Sequence, residues 1–489
     1  MEYTKLSSYK FKTGKFISPW NEFMDPVDDN KSWTYGRLPE YLWIAFILKR
    51  YGREEGFRRL NPILHTIKEK TNLIHIRMSD FMLANEEQKD CIFTTIIENT
   101  EVECVAPLTV VLSGDIDSLF ALKFATTISI EDRVNAIQEC MKAVMNHQSN
   151  ESTDIRYTVL IYSLICGKLH LMQEQADLLF KYQFLEHSDE EMRMIRPLIR
   201  SSELMLLTME KANDSYLNLF WKAISELTEC DLYMMNFEDE KAETNNYFIM
   251  VKSIFSYFQQ LYVACNPLDK KMKVLLGIAT YSFKRLEEAE KHNLYNSISG
   301  RSIIRNMIEN YIMMKYLTIL EGEKVSIWND FETYGIGQYK LVLARHRECE
   351  LKRDAHVDEH ILEAIVNEFR YEEFQDMDTR YFNNGNIREK ATKVGEKDLY
   401  GLYYDYDSAF EHGLWGAIRE SALLKCDNPA HQYHCVPNVD DDVSLKSIFP
   451  DCVYVMNKTI RFLDTIFGVP ESMIGDINRY EELLVRGEN

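Results

Sequence analysis

Apolar residues recur at three-and-four spacing over most of this 489-residue chain, and that period predicts helices. The first clear face lies in residues 37–52, where Leu42, Ile44, Phe46, Ile47 and Leu48 supply a broad apolar stripe. Pro39 suits a first helical turn there, and Gly52 a stop. A second helix is predicted over about 54–70, broken or bent near Pro62. Between 73 and 130 the period weakens, and LTVVLSGDID (108–117) holds the one β-branched run that suits a strand. Helical spacing returns over 131–147, 153–172, 189–212 and 214–229. The acidic stretch 236–246 has no apolar period and reads as a linker. Beyond it, amphipathic helices are predicted over 247–264, 269–291, 300–320, 328–353, 357–372, 402–425 and 470–486. Residues 1–30, polar and aromatic with Pro19 and Pro26, read as an irregular lead-in. The polar stretch 375–397 reads as a long mobile loop.

Composition sharpens this pattern into a fold class. Gly (19) and Pro (11) are scarce, roughly 4% and 2% against a usual ~7% and ~5%, which disfavours the many tight turns of a sandwich or barrel. The expectation is an all-α chain. Residues 1–235 form an N-terminal multi-helix domain, with stacked helical hairpins as one arrangement, and 247–489 form a C-terminal helical bundle. A net charge of −21 disfavours a general nucleic-acid coat. The stretch 295–353 departs from that balance, with nine Lys/Arg against seven Asp/Glu, a net of +2. The ten cysteines are scattered with no CxxC, as in a reducing compartment. No apolar leader or membrane-spanning window is present, so the expected location is cytoplasmic, without a membrane partner.

Candidate chemistry concentrates in two segments. In Tyr403–Cys426, the small residues Ala409, Gly413, Ala417 and Ser421 recur every four positions and predict a close-packed seam. Beside it Tyr404, Ser408 and His412 share one face of the predicted helix. In the 300–320 helix, Arg301 and Arg305 share a face. Arg301 sits in the first turn, where the helix dipole disfavours a cation, so it needs an anionic partner: a neighbouring carboxylate or a bound phosphate.

Arg301-Ser302, then Tyr404-Ser408-His412-Gly413, then Pro429-Ala430-His431 resemble an uncharacterised bacterial helical family, the domain of unknown function five-six-seven-seven, over about 247–440. That family is similar to the HEPN bundles, many of which are RNases of toxin and phage-defence systems. A standard HEPN nuclease carries Arg and His four to six residues apart on one helix. The 402–425 segment lacks that pair, and Arg353 and His360 stand with six residues between them. The resemblance implies an RNase-like effector of bacterial defence or stress, free of metal and cofactor, taking RNA at a local basic pocket. His412 would act as general base, Arg301 and Arg305 would hold the phosphate, and Tyr404 and Ser408 would orient the imidazole. The alternative is a non-catalytic scaffold in which the same polar cluster fixes helix register. A homodimer, or a protein partner bound through the N-terminal domain, fits either reading.

Two further clusters carry weaker signals. Cys426, His431, His434 and Cys435 are zinc-ligand types, but their spacing is too compressed for all four to reach one ion, and a Pro429-bearing loop is the simpler expectation. Asp115 and Asp117 could hold Mg²⁺ from a strand, yet no Gly-Ser turn precedes them, and Ser113-Gly114-Asp115 reads as a helix cap. Walker A, GxGxxG, HExxH and GxSxG motifs are all absent.

Overall fold

The computed structural model describes residues 5–19, 32–114, 116–169, 171–207, 214–235, 237, 244–265, 269–349, 356–368 and 370–486. The expected linker 236–246 lies mostly outside these residues, as do Asp115 and Arg353. Among the described residues the chain is all-α, with two small β ribbons. It divides into two compact units. The first comprises Met1–Tyr233 with Lys425–Val436, and the second Met234–Leu424 with Pro437–Asn489. The first unit thus recovers a short segment from far along the chain, which a linear division at 236–246 assigns to the C-terminal part.

The first unit begins with a hairpin, β1 (Lys10–Lys12) and β2 (Lys15–Ile17), paired Phe11 to Phe16, where an irregular lead-in was expected. Its core helix, α1 (Leu38–Tyr51), has Pro39 in the first turn and is buried continuously from Leu38 to Ile47, so it can only sit among other helices. Around it pack α2 (Arg53–Thr71), α4 (Ile130–Val144) and α5 (Asn150–Ile165). α3 (Glu86–Asn99) lies on α2, and α6 (Met192–Leu207) on α5. α2 runs through Pro62 uninterrupted. α3 starts at a full capping box, in which Asn85 and Gln88 satisfy each other's backbone N–H. α5 stops at Ile165, before Gly167 at φ +68°, short of the expected 172.

No strand forms among the described residues of 108–117. Pro107 opens a 3₁₀ turn over Ala106–Val110, and Leu108, Val111 and Leu112 are buried. The cap in this region is Asp117, whose side chain accepts from the Phe120 N–H at 2.9 Å and pairs with Lys89 Nζ at 2.8 Å. Two arginines and a glutamate are buried together: Arg37 pairs with Glu203, and Arg156 Nε lies 3.6 Å from the same carboxylate. α7 (Asp214–Glu226) leads to β3 (Leu232–Tyr233). Its partners Lys425 and Cys426 belong to β4 (Leu423–Cys426), beside β5 (Cys435–Pro437).

In the second unit, α8 (Asn245–Cys265), α9 (Lys270–Lys291), α10 (Ile298–Glu321) and α11 (Ile327–Glu348) make the bundle. α10 is central, packed against α9, α11, α12 (Asp405–Glu411) and α14 (Phe449–Phe467). α15 (Glu471–Arg486) closes against α8 and α14. α14, with Pro450 in its first turn and Gly468 at its end, has no counterpart in the predicted helices.

The segment expected to be a mobile loop is instead a belt tied along α11. Lys340 Nζ donates to the Glu372 and Gln375 carbonyls at 2.6 Å each, and Tyr334 Oη to the Arg380 carbonyl at 3.0 Å. Further on, Glu396 accepts from Lys315 (2.6 Å) and Tyr311 (3.0 Å), with Lys458 at 3.2 Å.

Candidate functional site

The helix predicted over 402–425 is four pieces. A π-turn at Tyr400–Tyr404 leads into α12, a turn at His412-Gly413 follows, then α13 (Trp415–Ser421), then β4. Gly413 is the reason for the break. It stands at φ +57°, the Leu414 N–H donates to the Ala409 carbonyl at 2.8 Å, and the Gly413 N–H to Phe410 at 3.2 Å. That is a Schellman ending, for which glycine is the favoured residue. A side chain added at Gly413 or Gly416 would meet no atom within 4 Å, so the expected glycine seam is not close-packed. Ala417 is buried and Ala409 partly buried, with Phe410 and Leu445 in a small apolar cluster.

α10 and α12 do meet. Arg305 Nε donates to Ser408 Oγ at 3.0 Å, and Arg305 Nη2 to Tyr404 Oη at 2.7 Å. Ser408 Oγ donates onward to the Tyr404 carbonyl at 2.6 Å. One turn away, Ser302 Oγ donates to Glu411. Three of the five candidate residues are therefore joined. Tyr404 is buried, and burial raises its hydroxyl above the usual tyrosine range, so it stays neutral beside the cation.

Arg301 and His412 stand apart from this group in character. Arg301 is only 4% exposed. Its Nη2 donates to the Lys446 carbonyl at 2.7 Å, and its guanidinium lies 5.7 Å from the centre of the Phe410 ring and 5.9 Å from that of Tyr406. Its Nε is buried without a hydrogen-bond partner. Two acids feel its charge. Burial pushes Asp407 up to about 7 against the pull of Arg301, and raises Asp451 in the same sense. His412 is exposed, at the end of α12, its N–H donating to the Ser408 carbonyl. The helix stops there, so the Tyr404–Ser408 row reaches His412 only at its last, capping residue. Asp407 was not among the expected residues; its signal is an aspartate inside an otherwise apolar helix face.

A second cluster lies in the first unit. Cys230, Cys426, His431 and His434 bring their ligand atoms within 4.8 Å of one another. The compressed spacing that argued against Cys426, His431, His434 and Cys435 all reaching one ion is relieved by Cys230, some 200 residues upstream and beside the strand that pairs with β4, which takes the fourth place.

Residues 273–431 match a family of unknown function (DUF5677). Neither the curated proteins nor the solved structures contain a match to the chain. Among the described residues, no helix is long and apolar enough to cross a membrane.

Proposed function

We propose that this chain is a helical interaction protein, in which Arg301, Arg305, Tyr404 and Ser408 fix the register of α10 against α12 instead of processing a substrate. The burial of Arg301 carries this reading. A phosphate ligand has to reach the guanidinium, and this one is enclosed by Phe410, Tyr406 and the Lys446 carbonyl. A buried cation beside a buried acid, here Asp407, is a known device for specifying one arrangement of helices. The partner is a second copy or another protein, bound through the first unit.

One observation favours the second reading, a HEPN-like ribonuclease of bacterial defence or stress. The Arg305 side chain is 20% exposed, and its two hydrogen bonds go to neutral hydroxyls, with Glu309 at 3.8 Å. A phosphate could displace those hydroxyls, with His412 as the base.

The separating experiment is RNA degradation by the full chain in EDTA, beside His412→Ala. The interaction reading expects no cleavage by either protein. Cleavage by the wild type, lost at least 100-fold in a His412→Ala variant with unchanged helical circular dichroism, would establish the ribonuclease instead.

A further inference from the structure

The Cys–His cluster of the first unit has a geometry that simple packing of thiols and imidazoles does not require. Cys230 Sγ lies 3.4 Å from His431 Nδ1 and 3.6 Å from His434 Nε2, and Cys426 Sγ lies 3.5 Å from His431 Nδ1. A tetrahedral zinc with sulfur at about 2.3 Å and nitrogen at about 2.05 Å places sulfur and nitrogen ligands about 3.5 Å apart. The three separations therefore match three of the six edges of such a tetrahedron.

The tautomer of His431 is set by its surroundings. Thr228 Oγ1 donates its own proton to the Ile224 carbonyl at 3.0 Å, so toward His431 Nε2, at 2.9 Å, it can only accept. The Thr228 carbonyl, an acceptor too, lies 3.1 Å from the same nitrogen. Nε2 therefore carries the hydrogen, and the Nδ1 lone pair points at both sulfurs. A metal-binding histidine characteristically has its second nitrogen held by a carbonyl in this way.

The loop is shaped before any ion arrives. Gln432 and Tyr433 both stand at positive φ, +56° and +51°, which curls the chain between the two histidines. The Cys426 N–H donates to the His434 carbonyl at 2.9 Å. Buried Asn428 donates to the Glu229 carbonyl at 2.7 Å and accepts from the Ala430 N–H and from Gln138. Two left-handed non-glycine residues in succession are strained and need an offsetting interaction.

We propose that Cys230, Cys426, His431 and His434 bind one Zn²⁺, as a structural site that ties Lys425–Val436 to the end of α7. Two thiolates and two neutral imidazoles cancel the charge of the ion. A mixed sulfur–nitrogen tetrahedron is the set zinc favours over the hard cations. Four protein ligands leave no open position, so the ion holds structure and activates no water.

The test is metal analysis of the full chain purified under reducing conditions without chelator, beside Cys230→Ser, Cys426→Ser and Cys435→Ser. About one zinc per chain is expected in the wild type and in Cys435→Ser, with loss of bound zinc in the other two. Because ligand variants can misfold, chelator-stripped wild type is also titrated with Co²⁺. The expected spectrum has the intense visible bands of tetrahedral cobalt and a thiolate charge-transfer band, saturating at one equivalent. Absence of zinc together with absence of that spectrum overturns the proposal, as does zinc retained in both Cys230→Ser and Cys426→Ser.

Discussion

Asp407→Asn is expected to stabilise the second unit at pH 8 by about 4 kcal/mol, and to do almost nothing at pH 3.5. Asp407 is 3% exposed, and burial lifts its carboxyl to about 7 despite the attraction of Arg301. In the unfolded chain it ionises near the ordinary aspartate value. Between those two values the folded state holds a proton that the unfolded state has released, so stability falls as pH rises from about 4 to about 7, then levels. Asparagine keeps the shape and removes the titration. Urea midpoints for both proteins at pH 4.5, 6 and 8 should diverge progressively. A difference that stays constant across that range would mean that Asp407 is an ordinary solvated acid. The sign also bears on function, because removing a carboxylate from a catalytic site should cost activity, whereas here it should only add stability.

Glu203→Gln is the largest expected loss, about 3–5 kcal/mol, because it leaves two buried guanidinium groups without their anion. Arg37 is 7%, Arg156 3% and Glu203 1% exposed, so water cannot take over the screening. Burial already lowers Arg156 to about 10, with Glu203 opposing that shift. Arg156 also lies 4.3 Å from the centre of the Trp33 ring, whose Nε1 donates to the Val144 carbonyl, so the loss should reach α4 and α5 as well. For a unit of this size the melting transition should drop by about 10 °C. A drop under about 2 °C would show that the charges are solvated or that the neighbouring acceptors suffice.

Several helices were legible where apolar residues recur at three-and-four spacing, although α14 was missed. α9, α10 and α15 lie close to their predicted spans because three-and-four spacing is a local property. Breaks were harder to read. Gly413 read as part of a small-residue seam within one helix, yet Leu414 beside it completes the Schellman ending, and the pair Gly-Leu was the available signal. The Val110-Val111 run suggested a strand because β-branched residues carry that bias, but a strand needs a partner, and Pro107 commits the chain to a turn first. The belt along α11 read as mobile because its bonds run from Lys340 and Tyr334 to backbone carbonyls, and carbonyls leave no mark in a sequence.

The candidate site divides in the same way. Arg305, Tyr404 and Ser408 could be grouped by helical period, and they do hydrogen-bond. The enclosure of Arg301 depends on the Lys446 carbonyl, distant in sequence and unmarked by any motif. Cys230 was hidden for the same reason, since its partners are almost 200 residues away and no local spacing links them.

The central claim is that the arginine–hydroxyl cluster holds α10 and α12 in register, and a double-mutant cycle tests it most directly. Arg305→Met, Tyr404→Phe and the double variant are compared with the wild type by urea unfolding. A coupling energy of about 1–2 kcal/mol is expected, with the double variant no less stable than the weaker single one by more than a few tenths. Losses that add to within about 0.5 kcal/mol, or single variants as stable as the wild type, would contradict a structural role for the cluster.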